Sequence, residues 1–382
     1  GGEKKYDVLF YGDSLSSPRR RHMLDVLKLH FNVHVVNDLF GEHMIRELKQ
    51  ARVVVNLHYY ENALLEMPRI QECLSLGLSV VSESARDKED YPELGEAVRF
   101  FDEGSVDGML LAVKAALDGT EESIMDAISA SKIRFDFMFD RFLVAMGFLP
   151  VSRVRDMSLP LPVNADTFGL SLPETIARRR VFEVERPRNC VVFDGIRRRP
   201  GWIGCGLSYA ALAQHALRGG LKNITVMEDD VILPSGYQEK LGLIKEYLAS
   251  KEGDWDVFAG VIASLHSDAN VIAVEEFKGL TFVVIDKMTS TVFNIYSESA
   301  LHMFSEWNPD NQDAGTNTID RFLESQKAIR VIVLLPFFVG HREEVFSTLW
   351  GFQNSRYAEM IAESERALRQ KVSLYLESQG RG

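Results

Sequence analysis

The run Val53-Val54-Val55-Asn56-Leu57 constrains the fold more than any other stretch of this chain. A strand that is apolar at successive positions has no water-facing side, so it requires a sheet covered on both faces. Further strand-like runs at Tyr6–Tyr11, Val33–Val36, Ser79–Ser82 and Val98–Phe101 alternate with helical patterns at Pro18–Phe31, His43–Lys49, Ala63–Leu76 and Val106–Leu117. That alternation predicts a Rossmann-like, doubly wound parallel sheet.

At 382 residues the chain is long enough for two cores. The expected division is an accessory domain over 1–150, a proline-bearing linker over 151–166, a second α/β domain over 167–350 and a C-terminal helix over 351–382. Glu121–Phe148 reads as one or two helices closing the first domain. In the second, strands are expected at Cys190–Phe193, Ile224–Met227, Val257–Val261, Leu280–Ile285, Thr291–Ile295 and Val331–Leu335. Helices are expected at Leu207–Arg218, Lys240–Leu248 and Ser297–Phe304. The fold class is therefore α/β in both parts.

A formal net charge of -12 argues against a general nucleic-acid binder. Cys73, Cys190 and Cys205 are spaced as neither a metal knuckle nor a disulfide framework, which fits a reducing compartment. No run approaches the roughly 18–20 apolar residues of a membrane span, and Gly1-Gly2-Glu3-Lys4-Lys5 lacks the apolar core of a secretion signal. The expectation is a cytoplasmic protein. Its oligomeric state has no signature in the sequence.

The chemistry is concentrated where Ile224-Thr225-Val226-Met227 runs into Glu228-Asp229-Asp230. Three successive carboxylates at the end of an apolar strand repel one another, and a hard cation such as magnesium or manganese removes that cost. Strand alternation would put Glu228 and Asp230 on one side and Asp229 on the other. The competing reading is a solvated acidic loop. The apolar strand before the triplet and Val231-Ile232-Leu233-Pro234 after it favour a site.

Gly201-Trp202-Ile203-Gly204-Cys205-Gly206-Leu207-Ser208-Tyr209, a helix, and Val226-Met227-Glu228-Asp229-Asp230-Val231 together resemble the core signature of glycosyltransferase family 25. That family includes lipopolysaccharide and collagen galactosyltransferases. Leu172–Glu183 resembles its arginine-rich first helix and Val192-Phe193-Asp194-Gly195 a further segment, so the likeness covers about residues 160–350. It implies a GT-A fold, a UDP-sugar donor, Mn2+ or Mg2+, and inversion at the anomeric carbon. By the same resemblance Asp230 is a metal ligand, while Glu228 holds ribose or metal. Asp229, Gly204 and Ser208 fall among the donor-binding residues. The family's usual histidine after the serine is Tyr209 here, which puts that histidine's role in doubt.

Inversion needs a base for the acceptor hydroxyl. Asn317–Leu323 resembles the family segment that supplies one, and Asp320 is the first choice; a helix-start aspartate answering the helix dipole is the plain alternative. Asp256 is a weaker choice. His341 lies where GT-A enzymes often take a last metal or diphosphate ligand, and Arg342 beside it could meet phosphate. Arg178, Arg179 and Arg180 could reach the nucleotide, with at least one of them left on a solvated helix face. The glycines around Cys205 are expected to bring backbone close to the donor.

In the first half, Tyr11–Arg20 places between a strand and a helix a small polar turn whose N–H groups could hold phosphate. Asn56–Glu61 with Glu66, Arg69 and Glu72–Val81 resembles the donor-binding half of GT-B glycosyltransferases. The paired glutamate expected eight residues before Glu72 is Leu64, and the matching acceptor half is absent, which leaves an accessory module. The expected function is transfer of a galactose-like hexose to a glycan or glycolipid acceptor in lipopolysaccharide-type biosynthesis. Such an acceptor would bring peripheral membrane contact. The alternative is a non-catalytic protein that binds sugar nucleotides or glycans on the same fold.

Overall fold

The computed structural model describes residues 4–91, 94–119, 121–326, 329–343, 351 and 356–380. The chain forms two compact units, Gly1–Asp136 and Phe137–Gly382.

The first unit is the parallel α/β sheet expected from its apolar strands. Its strands are β1 (Tyr6–Tyr11), β2 (Val33–Val36), β3 (Ala51–Asn56), β4 (Ser79–Glu83) and β5 (Val98–Phe101), in the order β2-β1-β3-β4-β5. Every pairing is parallel. Between them run helices α1 (Pro18–His30), α2 (Gly41–Leu48), α3 (Met67–Ser75) and α4 (Leu94–Ala97), followed by α5 (Val106–Leu117). Val53 and Val55 join the core on one face and Val54 the core on the other, which is why VVVNL carries no polar alternation. Helix α1 starts where Pro18 follows Ser17, whose hydroxyl accepts from the Arg20 N–H.

Glu83 ends β4 with no solvent exposure and gathers four donors. Arg19 binds both its oxygens, the His58 N–H reaches Oε2 at 2.6 Å and the Gly104 N–H reaches Oε1 at 2.9 Å. Helix α1 and two loops are thereby tied to one carboxylate.

Helix α6 (Glu121–Met146) is a single helix. Residues expected to form a linker pack instead into the second unit: Val151–Asp156 is a 3-10 turn, and Val154, Met157 and Leu161 join the same core as Phe137 and Val144. The prolines there shape a surface path that still carries apolar anchors.

The second unit is a mixed sheet of eight strands. They are β6 (Thr167–Ser171), β7 (Val191–Asp194), β8 (Asn223–Glu228), β10 (Val257–Ala259), β11 (Val271–Phe277), β12 (Leu280–Ile285), β13 (Phe293–Ser297) and β14 (Val331–Leu335). Their order is β11-β12-β14-β10-β13-β8-β6-β7. A two-stranded ribbon pairs β9 (Val231–Ile232) with β15 (Gly340–His341). Helices α7 (Ile176–Glu185) and α8 (Gly201–Arg218) link β6, β7 and β8. Phe182 of α7 packs in one core and Leu207 and Leu212 of α8 in the other, so these helices cover opposite faces. The remaining helices are α9 (Tyr237–Ser250), α10 (Glu298–Ser305), α11 (Ala314–Asn317), α12 (Ile319–Glu324) and α13 (Tyr357–Ser378). Of the C-terminal helix expected over 351–382, residues 352–355 and 381–382 lie outside the described set, as do 344–350 of the expected catalytic domain. Strand β11 had no clear sequence signal because it is an edge strand carrying Glu275 and Glu276. Among the described residues no helix is long and apolar enough to cross a membrane.

Burial alone would raise the Glu83 carboxyl, but Arg19 and the two backbone amides outweigh it and hold the group below its ordinary value near 4.5. Its stabilising contribution is therefore complete above about pH 4.5 and is lost as pH falls through the lowered folded value. Glu83→Gln should lower the unfolding free energy by about 3 kcal/mol at pH 7, with the gap to wild type closing below pH 4.5. Urea denaturation followed by circular dichroism reads both, and equal stability at pH 7 would refute the assignment.

Candidate functional site

Strand β6 pairs in parallel with β7 on one side and with β8 on the other. The chain leaves β6 for β7, then crosses back to β8, so the sheet order reverses at β6. Crevices at the carboxyl ends of strands at such a reversal are where open α/β sheets bind ligands. The three strand ends here are Ser171, Asp194 and Glu228, in register with their neighbours.

A cavity of about 330 Å³ opens at this point. Its lining includes the acids Glu174, Glu228 and Asp229, the arginines Arg178, Arg197, Arg198 and Arg199, and the small polar residues Ser171, Thr175, Cys205 and Ser208. Gly201, at the start of α8, also lines it. Pro200 caps that helix without a side-chain hydrogen bond, and the Ile203 N–H of its first turn bonds to the Pro200 carbonyl at 3.1 Å. Arg197 and Arg199 are exposed, while Arg198 donates to the Val144 carbonyl at 2.8 Å. Buried Arg141 braces the cavity from behind, with two 2.7 Å bonds to Glu174 and one of 2.6 Å to the Gly195 carbonyl.

The acidic triplet is arranged differently from strand alternation. Strand β8 ends at Glu228, and Asp229-Asp230 form a turn, so the two aspartates share a partner instead of facing apart. Arg178 pairs with Asp229 and donates to Asp230 Oδ2 at 2.9 Å. Ser171 donates to Asp229 Oδ2 at 2.6 Å. The β9–β15 ribbon sets His341 opposite Val231, bringing its Nε2 to 3.3 Å from Asp230 Oδ2. The His341 ring packs on Tyr357 with centroids 4.0 Å apart.

Burial raises the Glu228 carboxyl to about 7, and the Asp230 charge adds to the effect. Burial also raises Asp229 despite Arg178 and Ser171. Asp230 is the exception. Burial acts to raise it, yet His341 and Arg178 together hold it below its ordinary value. Tyr209 stands where the resembling family has histidine, and its hydroxyl lies 3.2 Å from Glu228 Oε1 and 3.1 Å from the Thr291 carbonyl. Burial pushes the Cys205 thiol well up, helped first by Glu228 and then by Asp320. Cys205, partly buried, lines the cavity and packs against the core beneath it. Asp320, half-buried at the start of α12, accepts from the Arg321 N–H at 2.9 Å; it does not line the cavity but lies within electrostatic reach of Cys205.

Neither a protein-family model nor a curated protein matches this chain.

Of the residues singled out in the sequence, Arg178, Ser208, Glu228 and Asp229 line the cavity, and Asp230 and His341 adjoin it through Arg178. Arg179 does not line it, being bound to Asp194 and Glu183; Arg180 is exposed. Gly204 does not line it either. A Cβ there would sit 2.4 Å from the Ile196 carbonyl, and one on Gly206 would sit 2.3 Å from the Trp307 ring, so both glycines allow close packing of α8. Ser208 secures the same contact, accepting from the Ile196 N–H and donating to the Gly204 carbonyl, each at 2.8 Å. Asp256 accepts from the Arg330 N–H at 2.8 Å, at a strand start. Arg342 pairs with Glu185.

Sequence reasoning missed Arg141, Glu174 and Arg197–Arg199. The last had a usable signal, three successive arginines directly before a helix start. The phosphate turn expected in the first unit is internally filled. Asp13 Oδ1 accepts from the Leu15 and Ser16 N–H groups, each at 2.9 Å, and Asn37 takes the Ser14 N–H. Arg69 packs against Gly12, and Glu72 accepts from Tyr11. His58 is a buried strand-end residue.

Among the described residues no three His, Cys, Asp or Glu side chains converge into a ready cation seat. Magnesium and manganese sites of one or two carboxylates completed by substrate phosphate do not need one. Asp230 fits that pattern. Its Oδ1 is buried with no hydrogen-bond partner, beside an imidazole whose Nδ1 is likewise unpartnered among the described residues.

A raised Glu228 means that the folded chain binds a proton more tightly than the unfolded one between pH 4.5 and 7. The stability that this proton brings is full near pH 4.5 and is lost as pH rises to 7. Glu228→Gln should therefore gain stability relative to wild type as pH increases across that window, then hold its gain above it. Urea unfolding at pH 5, 6, 7 and 8 measures this; a pH-independent difference would mean that Glu228 titrates normally.

Proposed function

We propose that the second unit is an inverting, metal-dependent glycosyltransferase that moves a galactose-like hexose from a UDP-sugar to a glycan or lipopolysaccharide-type acceptor. The observation that carries this reading is the Glu228-Asp229-Asp230 turn at the reversal of sheet order, opening on a cavity with an arginine rim. Carboxylates and arginines on one cavity suit a ligand that brings both a cation and phosphate.

Asp230 and His341 would hold Mn2+ or Mg2+, which when bound neutralises the departing diphosphate. Arg197 and Arg199, which line the cavity, would supply positive charge to a diphosphate. Glu228, kept partly protonated by burial, would offer ribose a hydrogen bond. Asp320, at the start of α12 and within electrostatic reach of Cys205, would take the acceptor hydroxyl's proton. The first unit serves as an accessory module. A cytoplasmic site of action, with peripheral membrane contact through a glycolipid acceptor, goes with this reading.

A non-catalytic sugar-nucleotide or glycan binder is the second reading, and the Arg178 bridge over both aspartates favours it. Calorimetric titration of UDP with and without Mn2+, on wild type and Asp230→Ala, separates the cases. The proposed transferase should bind UDP more tightly with Mn2+, lose that gain in the variant, and hydrolyse at least one UDP-hexose. Binding indifferent to Mn2+ and to the substitution would overturn the site. Manganese-dependent binding without turnover of any UDP-hexose, with or without glycan acceptors, would favour the binder.

A further inference from the structure

Arg178 occupies an unusual position. It sits in the first turn of α7, where the helix dipole disfavours a cation, and that turn holds no acidic residue. Its guanidinium nevertheless reaches both Asp229 and Asp230. Burial opposes its charge, yet the carboxylates of the triplet together raise its ionisation above the ordinary arginine value. Two aspartates share this one guanidinium, so the turn keeps a negative charge that Arg178 alone does not neutralise. The oxygen of Asp230 that Arg178 leaves free is the buried, unpartnered Oδ1. Arg178 also lines the cavity, so its side chain has space to turn into.

We infer that Arg178 is the resident counter-cation of the acidic turn, and that a divalent cation enters by displacing its guanidinium from Asp230 into the cavity. The inference rests on the metal-dependent reading above and adds a residue that competes with the cation. Arg178 then sets cation affinity: the more of the time it covers Asp230, the weaker the apparent binding. A seat free in about a tenth of molecules binds about tenfold more weakly than an open one. In the displaced position the guanidinium faces the same volume as Arg197 and Arg199, which couples cation entry to diphosphate binding.

The test titrates Mn2+ alone, following free Mn2+ by electron paramagnetic resonance, on wild type, Arg178→Met, Arg178→Lys and Asp230→Asn. Arg178→Met should bind Mn2+ about tenfold or more tightly than wild type. Arg178→Lys should fall between them, because an ammonium cannot span both carboxylates as a guanidinium does. Asp230→Asn should lose the site. Thermal melting gives a second readout: Arg178→Met should melt lower than wild type without cation and recover on adding Mn2+, a rescue that a purely structural arginine would not show. Unchanged or weaker Mn2+ binding in both Arg178 variants, with Asp230→Asn still losing it, would overturn the inference and leave the metal site standing. Mn2+ binding indifferent to Asp230→Asn would overturn the metal site and the inference with it. Should Arg178→Met prove too unstable to purify, the comparison of Arg178→Lys with wild type decides alone.

Discussion

A carboxylate at the end of a buried strand loses its water and must find donors within the chain. That requirement recurs at the carboxyl edges of both sheets. Glu83 is met by Arg19 and two backbone amides. Asp194 is met by Arg179, and Asp229 by Arg178 and Ser171. Each arginine arrives from a neighbouring helix, so satisfying the charge also fixes how strand end, loop and helix meet. Arg141 does the same for Glu174 and the Gly195 loop.

The two units differ in how completely this is done. In the first, the turn after β1 spends its N–H groups on Asp13 and Asn37, and Arg20 and Arg69 are held by Leu57, Asn56 and Glu66. Apart from the buried His58 Nδ1, which has no partner among the described residues, its edge is a closed polar network with the character of a scaffold. In the second, the balance remains short of positive charge, Asp230 Oδ1 and His341 Nδ1 lack partners among the described residues, and a cavity is left open. An unfinished network beside a cavity is the arrangement that a ligand completes.

Much of this was legible from residue patterns. VVVNL announced a doubly covered strand, and its neighbouring valines divide between two cores. The apolar lead into Glu228-Asp229-Asp230 marked the strand end on which the cavity opens. Other readings failed for physical reasons. Alternation applied to Asp229 and Asp230 breaks down because the strand stops at Glu228 and a turn obeys no two-residue period. Gly204 and Gly206 read as backbone brought close to a ligand, yet they sit inside α8, where the Ile196 backbone and the Trp307 ring leave no room for a Cβ. Among Arg178, Arg179 and Arg180, helix geometry sends each to a different surface, and only Arg178 reaches the cavity.

Local sequence by itself determined the α/β class and the placement of most strands, because apolar periodicity and helix-start signals act over a few neighbouring residues. It also determined that carboxylates would crowd the end of β8. Which side chains meet them was decided only by the tertiary structure. Arg178 lies 51 residues from Asp229 along the chain and Arg141 33 from Glu174, while His341 reaches Asp230 through a ribbon of two strands distant in sequence. Such pairings depend on sheet order and on which face each helix covers, and those follow from packing across the whole core.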